Sequence, residues 1–291
     1  MHLHRRLATL ALLLAGALVH VHAHAASADQ DYPPEVKPII ENRCMVCHGC
    51  YDAPCQLKLD AWAGLERGAS KNKVYDGTRL LTANLTRLFE DARTEKEWRD
   101  KGFYTVRAGG PFEPGVAERM LDLKKAHPLP PGKRLPDSFD FGLDRNQQCP
   151  KNEEFDSYAR RFPLWGMPYG LPGLTAREHA TLKDWLGRGS HGVPAAPVPG
   201  AEAAAIAEWE AFLNGDSLKQ QLASRYIYEH LFIASLYFRD LPDRGNYYRL
   251  VRSRTAPGKP IDEIATRRPY DDPGAELFYY RLQPRQTSRL A

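Results

Sequence analysis

The densest chemistry in the chain is "CMVCHGCYDAPC", residues 44–55, which holds four of its five cysteines and a histidine. Two sulfurs spaced as CxxC on a helix lie about one turn apart and face the same way. That spacing suits zinc, a redox disulfide, or two thioether bonds to a porphyrin. His48, directly after Cys47, separates these options, because CxxCH is the attachment pattern of c-type haem, with the histidine ligating the iron beneath the ring. Cys44 and Cys47 are therefore the expected thioether positions, and His48 the proximal ligand, of one covalent haem c. Zinc would need further ligands, for which Cys50 and Cys55 could serve. A thioredoxin-type pair would need a strand-helix context that does not precede the motif.

Three thiols remain, Cys50, Cys55 and Cys149. "YDAP" between the first two is turn-forming and can bring their Cα atoms within the ~5.5 Å a disulfide wants. A Cys50–Cys55 bridge is expected, with Cys55–Cys149 the competing pair, and either leaves one thiol over. For the distal face of a haem, Met167 stands out in "RFPLWGMPYGLPGLTAREHATLKDWLGRGS", a Pro- and Gly-rich loop leading into a helix. Thr175 and Glu178 form a capping box at the start of that helix, and Leu182, Trp185 and Leu186 give its apolar face. His179 and His191 are the runner-up ligands. Met120 reads as part of a core stripe with Val116 and Leu123, Met45 lies on the proximal side, and His127 reads as a surface residue.

The elements that must position these groups follow from the rest of the sequence. Arg5 and Arg6 precede an apolar run of about 13 residues that closes on small residues near Ala25, the pattern of a cleavable secretory signal over 1–25. The run is too short for a permanent anchor across a bilayer of about 30 Å. Periplasmic export is expected, in the compartment where c-type haem is attached by its maturation machinery. The net charge of +4 over 291 residues is small, and a cut near Ala25 removes two of the cations, so no nucleic-acid partner is expected. Val36, Ile39, Ile40 and Cys44 at helical spacing put the CxxCH motif at the end of an amphipathic helix.

The Met-Pro loop and capped helix resemble the distal half of a small cytochrome c, so residues 26–191 are expected to form a cytochrome c-like helical domain. The interval from His48 to Met167 is far longer than a minimal cytochrome needs, so about 60–160 is read as a large insertion. "GVPAAPVPG", 192–200, reads as a linker. Beyond it, two helical segments break at Asn214-Gly215, and the second is apolar on most faces, with Leu222, Tyr226, Ile233 and Tyr237 on one side, as for a helix buried in a larger domain. Arg225, Glu229 and His230 interrupt it and exclude a membrane span. The fold class expected is mainly α, with a second, mostly helical region beginning at residue 201.

"CMVCHGCYDAPCQLKL", "RYIYEHLFIASLYF", "YYRLVRSRTAPGKPIDEIATRRPYDDPG" and "FYYRL" together resemble the bacterial fatty acid cis/trans isomerases, periplasmic c-type haem enzymes. The resemblance runs from about residue 30 to about 284, and it implies an amino-terminal portion of a longer family pattern, with 201–291 a family-specific region. It implies conversion of cis double bonds in unsaturated fatty acids released from phospholipid to trans by the haem, without net redox, with transient contact at the inner-membrane surface. By that resemblance Met167 is the distal ligand. Arg252, Arg254, Arg267 and Arg268 are candidates to hold a fatty acid carboxylate, and a solvated basic loop accounts for them as well. Arg225, Glu229 and His230 are candidates for catalysis or for a structural pairing. An electron-transfer cytochrome and an inactive truncated relative are the alternative functions.

Overall fold

The computed structural model describes residues 30–74, 84–110, 113–130, 132–142, 145, 147–241 and 246–285. The expected signal segment lies outside the described residues. A two-residue strand β1 (Gln30–Asp31) is followed by helix α1 (Lys37–Arg43), with proline in its first turn where a missing N–H costs nothing. The chain continues through Cys44 into the single turn α2 (Met45–His48), because Cys44 N–H still bonds Ile40 O and His48 N–H bonds Cys44 O. The CxxCH motif thus rides on a helical extension whose buried anchors are Val36, Ile40 and Met45.

Short helices α3 (Trp62–Arg67), α4 (Glu95–Asp100), α5 (Val116–Ala126), α6 (Phe155–Arg161) and α7 (Ala176–Gly187) follow. Strand β2 (Val193–Pro194) then pairs antiparallel with β1, so the start of the reputed linker is tied to the start of the described chain. One core gathers Val36, Ile40, Leu59, Trp62, Leu65, Val106, Leu121, Leu182 and Trp185. Trp62, Leu65, Val106 and Leu121 all fall in the segment read as an insertion. That segment is a structural part of the core, since α1 and α7 alone leave too little apolar surface to close one.

Helix α7 presents Leu182, Trp185 and Leu186 to this core from a fully formed capping box. Thr175 Oγ1 accepts from Glu178 N–H at 3.2 Å and Glu178 Oε2 accepts from Thr175 N–H at 2.7 Å. Thr175→Ala should cost about 1 kcal/mol, read as a lowered urea midpoint at unchanged m-value. An unchanged midpoint would mean that tertiary packing alone sets this helix end.

The carboxy-terminal part holds α8 (Gly200–Leu213) and α9 (Leu218–Leu231) against an antiparallel pair, β3 (Tyr247–Ser253) and β4 (Tyr279–Arg285), in the register Leu250 opposite Leu282. Leu213, Tyr228, Tyr248, Leu250 and Leu282 form its core. Buried Glu210 on α8 binds β4 twice, accepting from Arg281 Nε and Leu282 N–H, both at 2.9 Å.

Four expectations are corrected here. The described residues are 37% helical with 10% strand, so the fold is not mainly α, and nothing among them reproduces a cytochrome c-like helical domain. The region after residue 201 is a helix pair on a two-stranded sheet rather than a mostly helical unit. Helix α9 is not buried all round either. Ser224 and Tyr228 face inward, while Leu222 and Tyr226 are exposed, as is Ile233 just beyond its end. One narrow face suffices because α9 lies on the outside of the sheet core.

Candidate functional site

A cavity of about 540 Å³ opens inside the first core, well within the range of small-molecule and cofactor sites. Its wall includes Cys44, Cys47 and His48 from the α1–α2 extension, Met120 and Leu121 from α5, Met167 and Leu174 from the loop before α7, and Leu182, Trp185 and Leu186 from α7 itself. Residues more than a hundred positions apart in sequence therefore share one apolar chamber. Met120, read from sequence as plain core, lies in its wall. Met120, Leu123, Phe155 and Tyr158 also form a second apolar cluster, against which Met167 packs as well as against the first.

His48 is buried, and its Nδ1 lies 2.7 Å from Leu57 O. A carbonyl can only accept, so Nδ1 carries the hydrogen and Nε2 keeps the available lone pair. Burial lowers the His48 pKa, and the nearby Arg145 charge acts the same way, against the bond to Leu57 O, so the ring is held neutral. Leu57 O is aimed by a left-handed turn at Cys55 (φ 54°) and Gln56 (φ 50°). Gln56 is pinned there, with Oε1 accepting from Thr86 Oγ1 and Nε2 donating to Asn72 O.

Burial pushes the Cys44 thiol up to about 12 and raises Cys47 as well. Zinc ligation and thiol redox chemistry both draw on readily formed thiolates, which this environment opposes. Among the described residues no three His, Cys, Asp or Glu side chains gather as a metal cluster.

The disulfide joins Cys55 to Cys149, with Cα atoms 5.7 Å apart, and Cys50 is an exposed free thiol. The expected Cys50–Cys55 bridge is thus incorrect. Its turn does form, but the left-handed Cys55 lies against the 147–149 segment, where Gln147 Oε1 accepts from Cys55 N–H at 2.5 Å.

Met167 is fixed through its backbone, since its N–H donates to Met120 O at 3.0 Å. Gly166 before it passes so near α5 that a Cβ would sit 2.3 Å from Lys124 N. Only glycine permits that approach, and it sets Met167 against the cavity. The runner-up histidines do not line the chamber. His179 is buried toward Asp122, Nε2 to Oδ1 3.1 Å, and His191 is exposed.

Residues 83–291, more than half of the chain, match the family Fatty acid cis/trans isomerase (CTI). The chain belongs to the fatty acid cis/trans isomerase family. Membership ties it to isomerisation of fatty acids, and the match takes in Met120, Cys149 and Met167 while starting beyond Cys44, Cys47 and His48. No curated protein and no solved structure matches the chain.

The family's carboxylate substrate directs attention to cations. Arg252, Arg254, Arg267 and Arg268 all lie away from the cavity wall. Arg252 is buried between Tyr228 and Phe278 and donates to Thr266 Oγ1 and Asp271 O. Arg254 faces Asp262, Arg268 is paired with Asp271, and Arg267 is exposed. Arg225 and Glu229 pair with each other on the open face of α9 at 2.8 Å, and His230 Nδ1 bonds Tyr226 O. None of these reaches the chamber. The cations that do line it, Arg43 and Arg145, carry no local motif and were not anticipated.

Proposed function

We propose that Cys44 and Cys47 hold one c-type haem by thioether bonds, with His48 its proximal and Met167 its distal ligand. With that haem the chain converts cis double bonds of unsaturated fatty acids to trans without net redox. The observation carrying this reading is the apolar 540 Å³ chamber whose wall contains both thiols, a neutral imidazole with its Nε2 lone pair available and a thioether. That donor set fits an iron porphyrin of the c type, which needs two thiols next to one histidine and a sulfur or nitrogen opposite.

Bound there, the haem would supply an electron sink beside the double bond, weakening its π component enough for rotation. The residues around it orient and dry the site. Leu57 O holds the His48 ring in one tautomer and one plane, as carbonyl partners of metal-binding imidazoles do. Leu57, Leu65, Val106, Leu121 and Leu182 keep water from the acyl chain and favour a substrate of methylenes. Cis and trans acids are isomers, so no co-substrate has to enter. Export by the 1–25 segment would bring the chain to the periplasm, beside both the haem maturation machinery and the inner-membrane source of acyl chains.

The test is to express the exported chain, stain a denaturing gel for covalent haem, and incubate the product with a cis-monounsaturated free acid without oxidant or reductant. Trans acid is expected. A haem-loaded chain that yields none while exchanging electrons reversibly is an electron carrier instead. Met167 is favoured over Met120 because Met120 is a buried member of the second apolar cluster, whereas Met167 is only partly buried and lies between the two clusters. Met167→Ala should keep covalent haem yet bind added imidazole at least about tenfold more tightly, since no internal ligand competes. If Met120→Ala has that effect and Met167→Ala does not, the distal assignment moves to Met120.

A further inference from the structure

The cavity wall has two arginines among the described residues, and Arg145 is held by the longer hydrogen bonds. Arg43 Nη2 donates to Pro172 O and Gly173 O at 3.1 and 2.7 Å, and its Nε faces Glu178 Oε1 at 3.8 Å. Among the described residues Arg145 donates to neutral carbonyls, from Nη1 to Gly142 O at 3.3 Å and from Nη2 to Asp52 O at 3.2 Å. Among the described residues its contact with a carboxylate, Asp52 Oδ2, is at 4.0 Å, and its Nε, like that of Arg43, is buried without a hydrogen-bond partner. The other acid in the wall, Asp140, has Oδ1 accepting from Gly142 N–H at 2.8 Å. A guanidinium that the described residues hold by two carbonyls, with an N–H unmet, is prepared for an anion.

Its surroundings say which kind. Gly142, which Arg145 touches, follows Phe141, and Phe141 is 58% exposed while lining the cavity. Leu171, 39% exposed, lines it too. Arg145 therefore stands where an apolar chamber meets solvent through apolar side chains. That arrangement matches a molecule with one anionic end and a long hydrocarbon body.

We propose that Arg145 is the carboxylate-binding residue of the chamber, taking the head group of a long-chain fatty acid whose tail lies along the apolar wall. The inference rests on the fatty acid reading above and assigns the head group to a residue outside the basic 252–268 segment. A haem propionate presents the same carboxylate chemistry, and the experiment separates the two sources.

The haem-loaded full chain is titrated calorimetrically with palmitate and with methyl palmitate, which have no double bond to turn over. Wild type should bind the acid at least tenfold more tightly than the ester. Arg145→Gln should weaken the acid by about 10- to 100-fold, the loss of a charge-assisted hydrogen-bonded pair, and leave the ester unchanged. Arg145→Lys should recover part of the preference, because it restores the charge but not the fork. Equal binding of acid and ester by wild type overturns the proposal, whether or not the variants fold. So does Arg145→Gln with the acid preference intact, and a shifted haem midpoint potential in that case would mean that Arg145 serves a propionate. Trans product from a cis acid is scored separately. Product without acid preference sinks only this inference, and acid preference without product sinks only the isomerase reading.

Discussion

His48→Ala is expected to lower trans fatty acid formation by at least about a hundredfold. Removing only the hydrogen-bond partner of a metal-binding imidazole costs roughly 10- to 100-fold, and here the proposed ligand itself is lost. The substitution leaves Cys44 and Cys47 in place, so it separates ligation from attachment. It also removes the donor that Leu57 O receives from Nδ1 at 2.7 Å. A buried carbonyl without a donor costs about 1–3 kcal/mol, so a lowered melting temperature is expected alongside the lost activity. His48→Gln controls for that loss, since its side-chain amide can restore a donor near Leu57 O while offering iron a far poorer ligand. Equal loss of activity in both variants, with stability recovered in the glutamine variant, is the expected pattern by gas chromatography and thermal melting. Trans product above a tenth of the wild-type rate in either variant would remove His48 from the mechanism.

What could be read from sequence was what lies close in sequence. Cys44, Cys47 and His48 fall within about one helical turn, so their cooperation needs no tertiary information. The Thr175–Glu178 box and the Leu182, Trp185, Leu186 face were legible for the same reason. Arg145 was not, and Cys149 only as the competing partner of Cys55, because they reach Asp52 and Cys55 through a loop about ninety residues away in sequence. Strands β3 and β4 were hidden differently. Both carry arginine at buried positions, Arg252 and Arg281, so the alternation that marks a half-buried strand is broken in "YYRLVRS" and "YYRLQPR". Arg281 is tolerated there because Glu210 on α8 neutralises it, and Arg252 because Tyr228, Phe278, Asp271 O and Thr266 surround it. Those partners become visible only once the chain is folded. The apolar stripe of α9 misled in the opposite sense, since periodicity tells that a face exists but not whether another element covers it.

Cys149→Ser is expected to destabilise the folded chain by about 2–5 kcal/mol, and Cys50→Ser by no more than about 0.5. The Cys55–Cys149 bridge closes a separation of 94 residues, and a crosslink over a loop of that length removes a large part of the unfolded chain's freedom. A Cys50–Cys55 bridge would close only a tight turn and stabilise correspondingly less. Urea unfolding with and without reductant reads the difference, since the reductant should lower the wild-type midpoint and leave Cys149→Ser unchanged. Were Cys50→Ser the destabilising variant, the bridge would belong to the turn after all. The consequence reaches the site as well. Cys55 and Gln56 hold left-handed backbone that costs of order 1–3 kcal/mol each and persists only while its surroundings enforce it. Gln147 and the disulfide are the enforcement at Cys55, and two residues on is the carbonyl that orients His48. Releasing the bridge should let that turn relax, free the His48 ring, and reduce the fraction of chain carrying covalent haem at temperatures where the fold still survives. A Cys149→Ser chain that melts earlier but carries haem in full would confine the disulfide to stability. A parallel fall in both would make it the brace that keeps the proximal histidine in place.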